Sequence, residues 1–267
     1  MIIQYIILAV IQGITEFLPV SSSGHLVLSG SLFGFTGSEN LTLGILLHAG
    51  SLAAIVTFYF KTLVGFFKKD QLHLMGMVIL GSVPAGVAGV ALELSGVNTA
   101  LFSNPAAVGL CLWITATVLR FTSKPSLCAK GEPVELKKIT VKQTLFIGFA
   151  QMFAILPGIS RSGSTIATGV LSGVKREDAA TFSFLLATPA ICGAILLEIL
   201  KAFKSGFAIQ GNSAALVVAV IVSAATSYGA LKLLVNIVKR GKLVWFSWYL
   251  YAAGAVALLL SFKGIIR

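Results

Sequence analysis

The chain has 267 residues, 57% of them apolar and only 11% charged, with a mean hydropathy of +0.95 and a net charge of +11. A water-soluble domain carries about 25% charged residues, so composition excludes an ordinary soluble globule. The positive charge does not indicate nucleic acid: the basic residues are scattered among short loops and form no single face, and no nucleic-acid partner is expected.

From the amino end, a short apolar run leads straight into Gln12-Gly-Ile-Thr-Glu16-Phe-Leu-Pro19-Val-Ser21-Ser22-Ser23-Gly24-His25, so it reads as part of the mature fold and not as a cleaved leader. An apolar helix should run to Pro19 and stop, because proline lacks an N–H and restricts the residue before it. A Ser/Gly stretch and a second apolar segment follow, which predicts a re-entrant helical hairpin over residues 2 to about 32. Full spans are expected to begin near residues 41, 74 and 105, since uncharged stretches there approach the roughly 20 residues that cross a hydrocarbon core. A basic loop, 122–142, comes next. A second broken helix, from 141 to about 174, contains Gln151-Met-Phe-Ala-Ile155-Leu-Pro157-Gly-Ile-Ser160-Arg161-Ser162-Gly163-Ser164-Thr165. Three more spans are expected from about 178, 212 and 244. Cys111, Cys128 and Cys192 have neither metal nor redox spacing, and no disulfide framework is implied.

The two broken helices are copies. A shift of 139 residues lays Gln12 on Gln151, Ser21 on Ser160, Ser23 on Ser162 and Gly24 on Gly163, with one residue inserted after the second Leu-Pro pair. The same shift lays Ile45-Leu-Leu on Phe184-Leu-Leu. The chain therefore reads as a single membrane domain of two repeats, 1–121 and 143–267, joined by the 122–142 loop. Three full spans separate the hairpins, which inverts one copy against the other, and irregular backbone at membrane depth survives where the copies bury it. Placing the basic loops inside puts 14 Lys and Arg on that side and four on the other. The expected architecture is thus an all-α polytopic membrane protein, an inverted-topology repeat of about six transmembrane helices and two re-entrant hairpins.

The residues the copies do not share are the reactive ones. Glu16 faces Ile155, Ser22 faces Arg161 and His25 faces Ser164. A carboxylate inside an apolar helix is costly and is a functional candidate; the structural alternative is an ion pair with arginine. Gln12 lies one turn earlier on the same face, and together the two could offer oxygens to a divalent cation such as magnesium or calcium. Arg161 reads as the one cation that does not fall near a membrane surface, and its planar fork matches phosphate oxygens. Ser21, Ser23, Ser160, Ser162, Gly163 and Thr165 surround these positions as candidate phosphate contacts, although a serine at a helix start is often only a cap. Ser22, His25 or a water activated by Glu16 could be the nucleophile, with His25 also a candidate base or acid. His48 lies in the middle of a span, where it either lines the cavity or is buried with its hydrogen bonds satisfied.

These two motifs, with Phe182-Ser-Phe-Leu-Leu-Ala-Thr-Pro189 as a third stretch, closely resemble the signatures of the bacitracin-resistance type of undecaprenyl-diphosphate phosphatase, and the resemblance covers essentially the whole chain. It implies hydrolysis of a polyprenyl diphosphate lipid to the monophosphate and inorganic phosphate, a divalent cation that assists, a bacterial inner-membrane location and a pocket opening to the outer side. A homodimer is left open as an assembly. One departure is Gln12, where many members carry Glu, which leaves Glu16 as the single essential acid. The rival reading is a lipid-phosphate transporter, because inverted repeats with broken helices also build transporters.

Overall fold

The computed structural model describes residues 2–33, 37–95, 104–129, 131–205 and 213–266, apart from the side chains of 31–33, 37–42, 125, 198 and 201–205. Among these residues the regular structure is helical: α1 (Ile2–Phe17), α2 (Ser22–Phe33), α3 (Gly37–Phe58), α4 (Phe60–Gly65), α5 (Leu72–Ser95), α6 (Pro105–Phe121), α7 (Val141–Phe153), α8 (Arg161–Leu171), α9 (Arg176–Ser205), α10 (Ser213–Lys239) and α11 (Val244–Phe262). Apart from short 3-10 turns, the loops contribute one isolated β-bridge, between Val134 and Val174. The protein is an all-α polytopic membrane protein. The six expected spans correspond to α3, α5, α6, α9, α10 and α11. Four of them, α5, α9, α10 and α11, are long and apolar enough to cross a membrane, while Pro105–Phe121 and the apolar part of α3, Leu43–Phe58, are shorter.

Both hairpins break where the prolines predicted. α1 ends at Phe17, two residues before Pro19, and α7 ends at Phe153, four before Pro157. Each following helix begins with a serine cap in the same register. The Ser21 hydroxyl accepts the Gly24 N–H at 3.3 Å and the Ser160 hydroxyl accepts the Gly163 N–H at 3.1 Å, which satisfies one of the free donors of each first turn. The inserted residue has a visible consequence. The shorter first loop closes with Ser21 at φ 69°, the one non-glycine residue with positive φ among those described. The longer second loop leaves Ser160 at φ −72° and takes its left-handed turn at Gly158, φ +93°, where a side chain would be strained.

The helices pack as two interlocked sets. α1 runs along α10 and α7 along α5, while α3 meets α9 and α6 meets α11. Under the 139-residue shift α1 matches α7, and α10 occupies the place in the second half that α5 holds in the first. Each hairpin therefore leans on a helix of the other half. Close approach uses small residues, as expected where no water drives helices together. A Cβ on Gly148 would lie 2.5 Å from the Gly81 carbonyl oxygen, and one on Gly254 would lie 2.8 Å from the Gly109 oxygen. Beside the first hairpin, Phe17 is fully buried and meets the Phe184 ring of α9 edge-on at 5.6 Å between centroids.

The basic loop docks on the α8–α9 corner. Val134 N–H donates to Gly173, Lys175 N–H donates back to Val134, and Leu136 N–H donates to the Asp178 carboxylate at 3.1 Å. One charge needs correcting: Lys232, counted on neither side above, lies exposed on α10 two turns before Lys239, so Arg161 is not the only cation that the loops leave unassigned. A long lysine stem reaches the surface from such a depth.

Candidate active site

The tips of the two hairpins touch. The Ser21 hydroxyl accepts the Gly158 N–H at 3.1 Å, and the Ser162 hydroxyl donates to the Leu18 carbonyl at 3.1 Å, so each tip holds the other's backbone. Thr115 of α6 anchors the second tip by donating to the Gly158 carbonyl at 3.1 Å and accepting the Ser160 N–H at 3.0 Å. With the turns fixed, the last turn of α1 and the first turns of α2 and α8 converge on one carboxylate, Glu16.

Glu16 is 7% exposed and both of its carboxylate oxygens have polar partners. Arg161 Nη2 lies 2.6 Å from Oε1. On Oε2, the Ser22 hydroxyl donates at 2.6 Å and Gln12 Nε2 donates at 3.0 Å. His48 Nε2, from α3, lies 3.4 Å from the same oxygen, while its Nδ1 lies 2.5 Å from the Gly44 carbonyl oxygen. Both ring nitrogens of His48 thus face acceptors, and a doubly protonated ring donates at both. Burying an unpaired carboxylate costs several kcal/mol. Here the cost is offset by a guanidinium, a hydroxyl, an amide and an imidazole on two oxygens.

The arrangement retains polar groups that have no partner among the described residues. Arg161 Nη1 and Gln12 Oε1 are buried and have no hydrogen-bond partner among the described residues. Buried polar atoms are rarely left unpaired without a reason. A donor on the guanidinium aimed past Glu16 is what an incoming phosphate oxygen requires.

The expected site residues separate into two groups. Glu16, Ser22, Arg161 and Gln12 come together. His25 does not join them. Its Nδ1 lies 2.8 Å from the Ser21 carbonyl oxygen, its Nε2 lies 2.7 Å from the Tyr249 hydroxyl, and its ring stacks on Tyr249 of α11. The other hydroxyls are engaged in the scaffold: Ser21 and Ser160 as caps and Ser162 across the tips, with Ser23 3.4 Å from Ser21. Thr165 donates to the Arg161 carbonyl at 2.7 Å and lies 2.5 Å from the Ser183 hydroxyl. The residue that sequence reading left undecided is His48. A signal for it existed: the 139-residue shift lays His48 on Ala187, so it differs between the copies just as Glu16 and Arg161 do.

For a divalent cation, the fit is partial. No group of three or more His, Cys, Asp or Glu side chains suited to a metal occurs among the described residues. Glu16 and the unpartnered Gln12 oxygen supply too few ligands for a resident ion of six or more oxygens.

A buried carboxylate shared between a hydroxyl and an arginine suits phosphoryl chemistry, and comparison with known proteins agrees. Over 262 residues the chain is 38% identical to the undecaprenyl-diphosphatase of Halothermothrix orenii, covering 97% of this chain and 98% of that one. It is 37% identical to the undecaprenyl-diphosphatase of Rhodopirellula baltica (98% and 99%) and 38% identical to that of Bacteroides fragilis (97% of each). Residues 5–256 match the family described as bacitracin resistance protein BacA, and with near-complete coverage on both sides the chain belongs to that family.

Proposed function

We infer that the protein hydrolyses undecaprenyl diphosphate to undecaprenyl phosphate and inorganic phosphate, returning the lipid carrier to peptidoglycan synthesis and opposing bacitracin. Two supports meet here: the relatives are named for this activity, and the Glu16 cluster has the parts it needs. The transporter reading has no support among those relatives.

In the reaction we propose, Ser22 Oγ attacks the terminal phosphorus. Its proton passes to Glu16 Oε2, 2.6 Å away. The anhydride P–O bond breaks and undecaprenyl phosphate leaves with the bridging oxygen. A phosphoserine remains, and a water then attacks it. Glu16 passes the first proton to the departing undecaprenyl phosphate, then takes a proton from the attacking water and delivers it to Ser22 Oγ as the Ser22–phosphorus bond breaks, which restores both groups. Arg161, with Nη1 free, and the N–H groups at the start of α8 stabilise charge on the phosphoryl oxygens. The observation that carries this assignment is the 2.6 Å Ser22–Glu16 hydrogen bond. We assign His25 to positioning, since its ring bonds the Ser21 carbonyl and so braces the left-handed turn before Ser22. The Ser21, Ser23, Ser160, Ser162 and Thr165 hydroxyls hold the tips in place for the phosphate.

A magnesium or calcium ion, when it enters with the diphosphate, would be held by Glu16 and Gln12 Oε1 and would neutralise phosphate charge. We also propose that the halves 1–121 and 143–267 are inverted copies in the bacterial inner membrane, with the site opening outward and the basic loops inside. Phosphate release from undecaprenyl diphosphate by purified protein in detergent tests the activity, since a carrier releases none. Loss of that release in Ser22→Ala tests the assignment of the nucleophile.

A further inference from the structure

At the far end of α10, the turn into α11 builds a second lipid-facing feature that does not depend on the Glu16 cluster. Lys239 is paired with Glu177 at 3.4 Å, but the next two cations, Arg240 and Lys242, are exposed and have no ion pair among the described residues. They flank Gly241, whose left-handed φ of +68° makes the turn tight. A groove of about 500 Å³ opens beside them, lined by Leu233, Asn236, Ile237, Arg240, Lys242, Trp245 and Phe246. The order of chemistry along it is fixed by the helices. On α10 the face runs from Leu233 through Ile237 to Arg240, from apolar to cationic, and α11 returns from Lys242 to Trp245 and Phe246. The groove is therefore apolar towards the hydrocarbon and cationic at its mouth.

The aromatic residues strengthen this polarity. Lys242 Nζ sits 5.0 Å from the Trp245 ring centroid, and Trp245 is 66% exposed. One turn further along α11, the Arg120 guanidinium lies 4.7 Å from the centroid of Trp248, which is 62% exposed. Exposed tryptophans mark the membrane–water boundary, and each here carries a cation over its face. Basic clefts between helices at that level recognise acidic lipid head groups.

We propose that the α10–α11 groove binds one anionic phospholipid, its phosphate between Arg240 and Lys242 and an acyl chain along Leu233, Ile237 and Phe246. A soluble anion would leave the apolar half unused. A second copy of this chain docking by twofold symmetry would set Arg240 and Lys242 against themselves.

The full-length protein in detergent is mixed with phosphatidylglycerol, or with phosphatidylcholine of the same acyl chains, and retained lipid is counted by native mass spectrometry. The expected result is one retained phosphatidylglycerol per chain in clear preference to phosphatidylcholine. Arg240→Gln and Lys242→Gln should each weaken retention about fivefold, the factor equivalent to about 1 kcal/mol per charge at a membrane surface, and the double variant about twenty-five-fold. If the double variant does not fold, the two single variants decide. Phosphate release by the variants in detergent should stay at the wild-type level, which separates this site from the catalytic one. Equal retention of the two lipids, unchanged retention in the variants, or displacement of the lipid by inorganic phosphate alone would overturn the proposal.

Discussion

Arg161→Lys separates a clamp on the substrate from a simple counter-ion. In the structure one end of the guanidinium, Nη2, is 2.6 Å from Glu16, while the other, Nη1, is buried and has no partner among the described residues. The fork can hold Glu16 and a phosphate oxygen together. A lysine has one nitrogen and must choose. With no substrate present it keeps Glu16 paired, so folding should survive. Arg161→Ala would instead strand a buried carboxylate at a cost of about 3–5 kcal/mol and would confuse stability with catalysis. Losing one donor that acts on transition-state charge costs roughly a hundredfold to a thousandfold in turnover, or about 2.7–4 kcal/mol. The assay is phosphate release from undecaprenyl diphosphate across a substrate series, with Tm recorded alongside. We expect kcat to fall by at least about a hundredfold with Tm little changed. A kcat within tenfold of wild type would show that a single positive charge suffices and that the free Nη1 has no part in the reaction.

Three further outcomes follow from the packing. His48→Gln removes an imidazole that is 3.4 Å from Glu16 and 28% exposed, so turnover should fall only about fivefold, the scale of about 1 kcal/mol for a partly solvated polar contact; a loss as large as that of Arg161→Lys would make His48 a direct participant. Gly148→Ala places a methyl 2.5 Å from the Gly81 carbonyl oxygen and should cost about 1–3 kcal/mol by overpacking, seen as a lower Tm in detergent, whereas Gly229→Ala, with open space around it, should not lower Tm. A cysteine at Gly241 should resist a membrane-impermeant thiol reagent applied from outside; labelling there would reverse the orientation drawn from the basic loops. By the same orientation, cysteines at Asn98 and Gly206 should be labelled from outside and one at Lys130 should not; these three positions lie outside the described residues.

Much of the site could be read before any coordinates because the repeat supplied its own control. Where two copies of a scaffold share a residue, packing explains it; where they differ, chemistry is the better explanation. That comparison isolated Glu16, Ser22 and Arg161, and the structure joins them through one carboxylate. It also applies to His48, which sequence alone leaves between a cavity role and a buried one because it reaches Glu16 from α3, outside both motifs. The serines were ambiguous for a different reason. A hydroxyl that caps a helix and a hydroxyl that holds a phosphate occupy the same position at a helix start, and only the partners, Gly24, Gly158, Leu18 and Gly163, show which bonds are made. His25 was drawn towards Ser22 by proximity in sequence, yet its ring is held by Ser21 and Tyr249. The helix ends were legible from proline. The left-handed Ser21 was not, because it follows from a loop one residue shorter than its twin.

The central claim is that Ser22 becomes phosphorylated during turnover, and rapid quenching tests it most directly. The protein is mixed with undecaprenyl diphosphate labelled in its terminal phosphate and quenched in acid within a single turnover, and the labelled peptide is mapped. The account predicts an acid-stable, alkali-labile adduct on the peptide containing Ser22, absent in Ser22→Ala, which should also lose far more than tenfold in kcat. An acid-labile, alkali-stable adduct on His25, or a wild-type enzyme that turns over with no labelled intermediate while Ser22→Ala keeps more than a tenth of its rate, would contradict it.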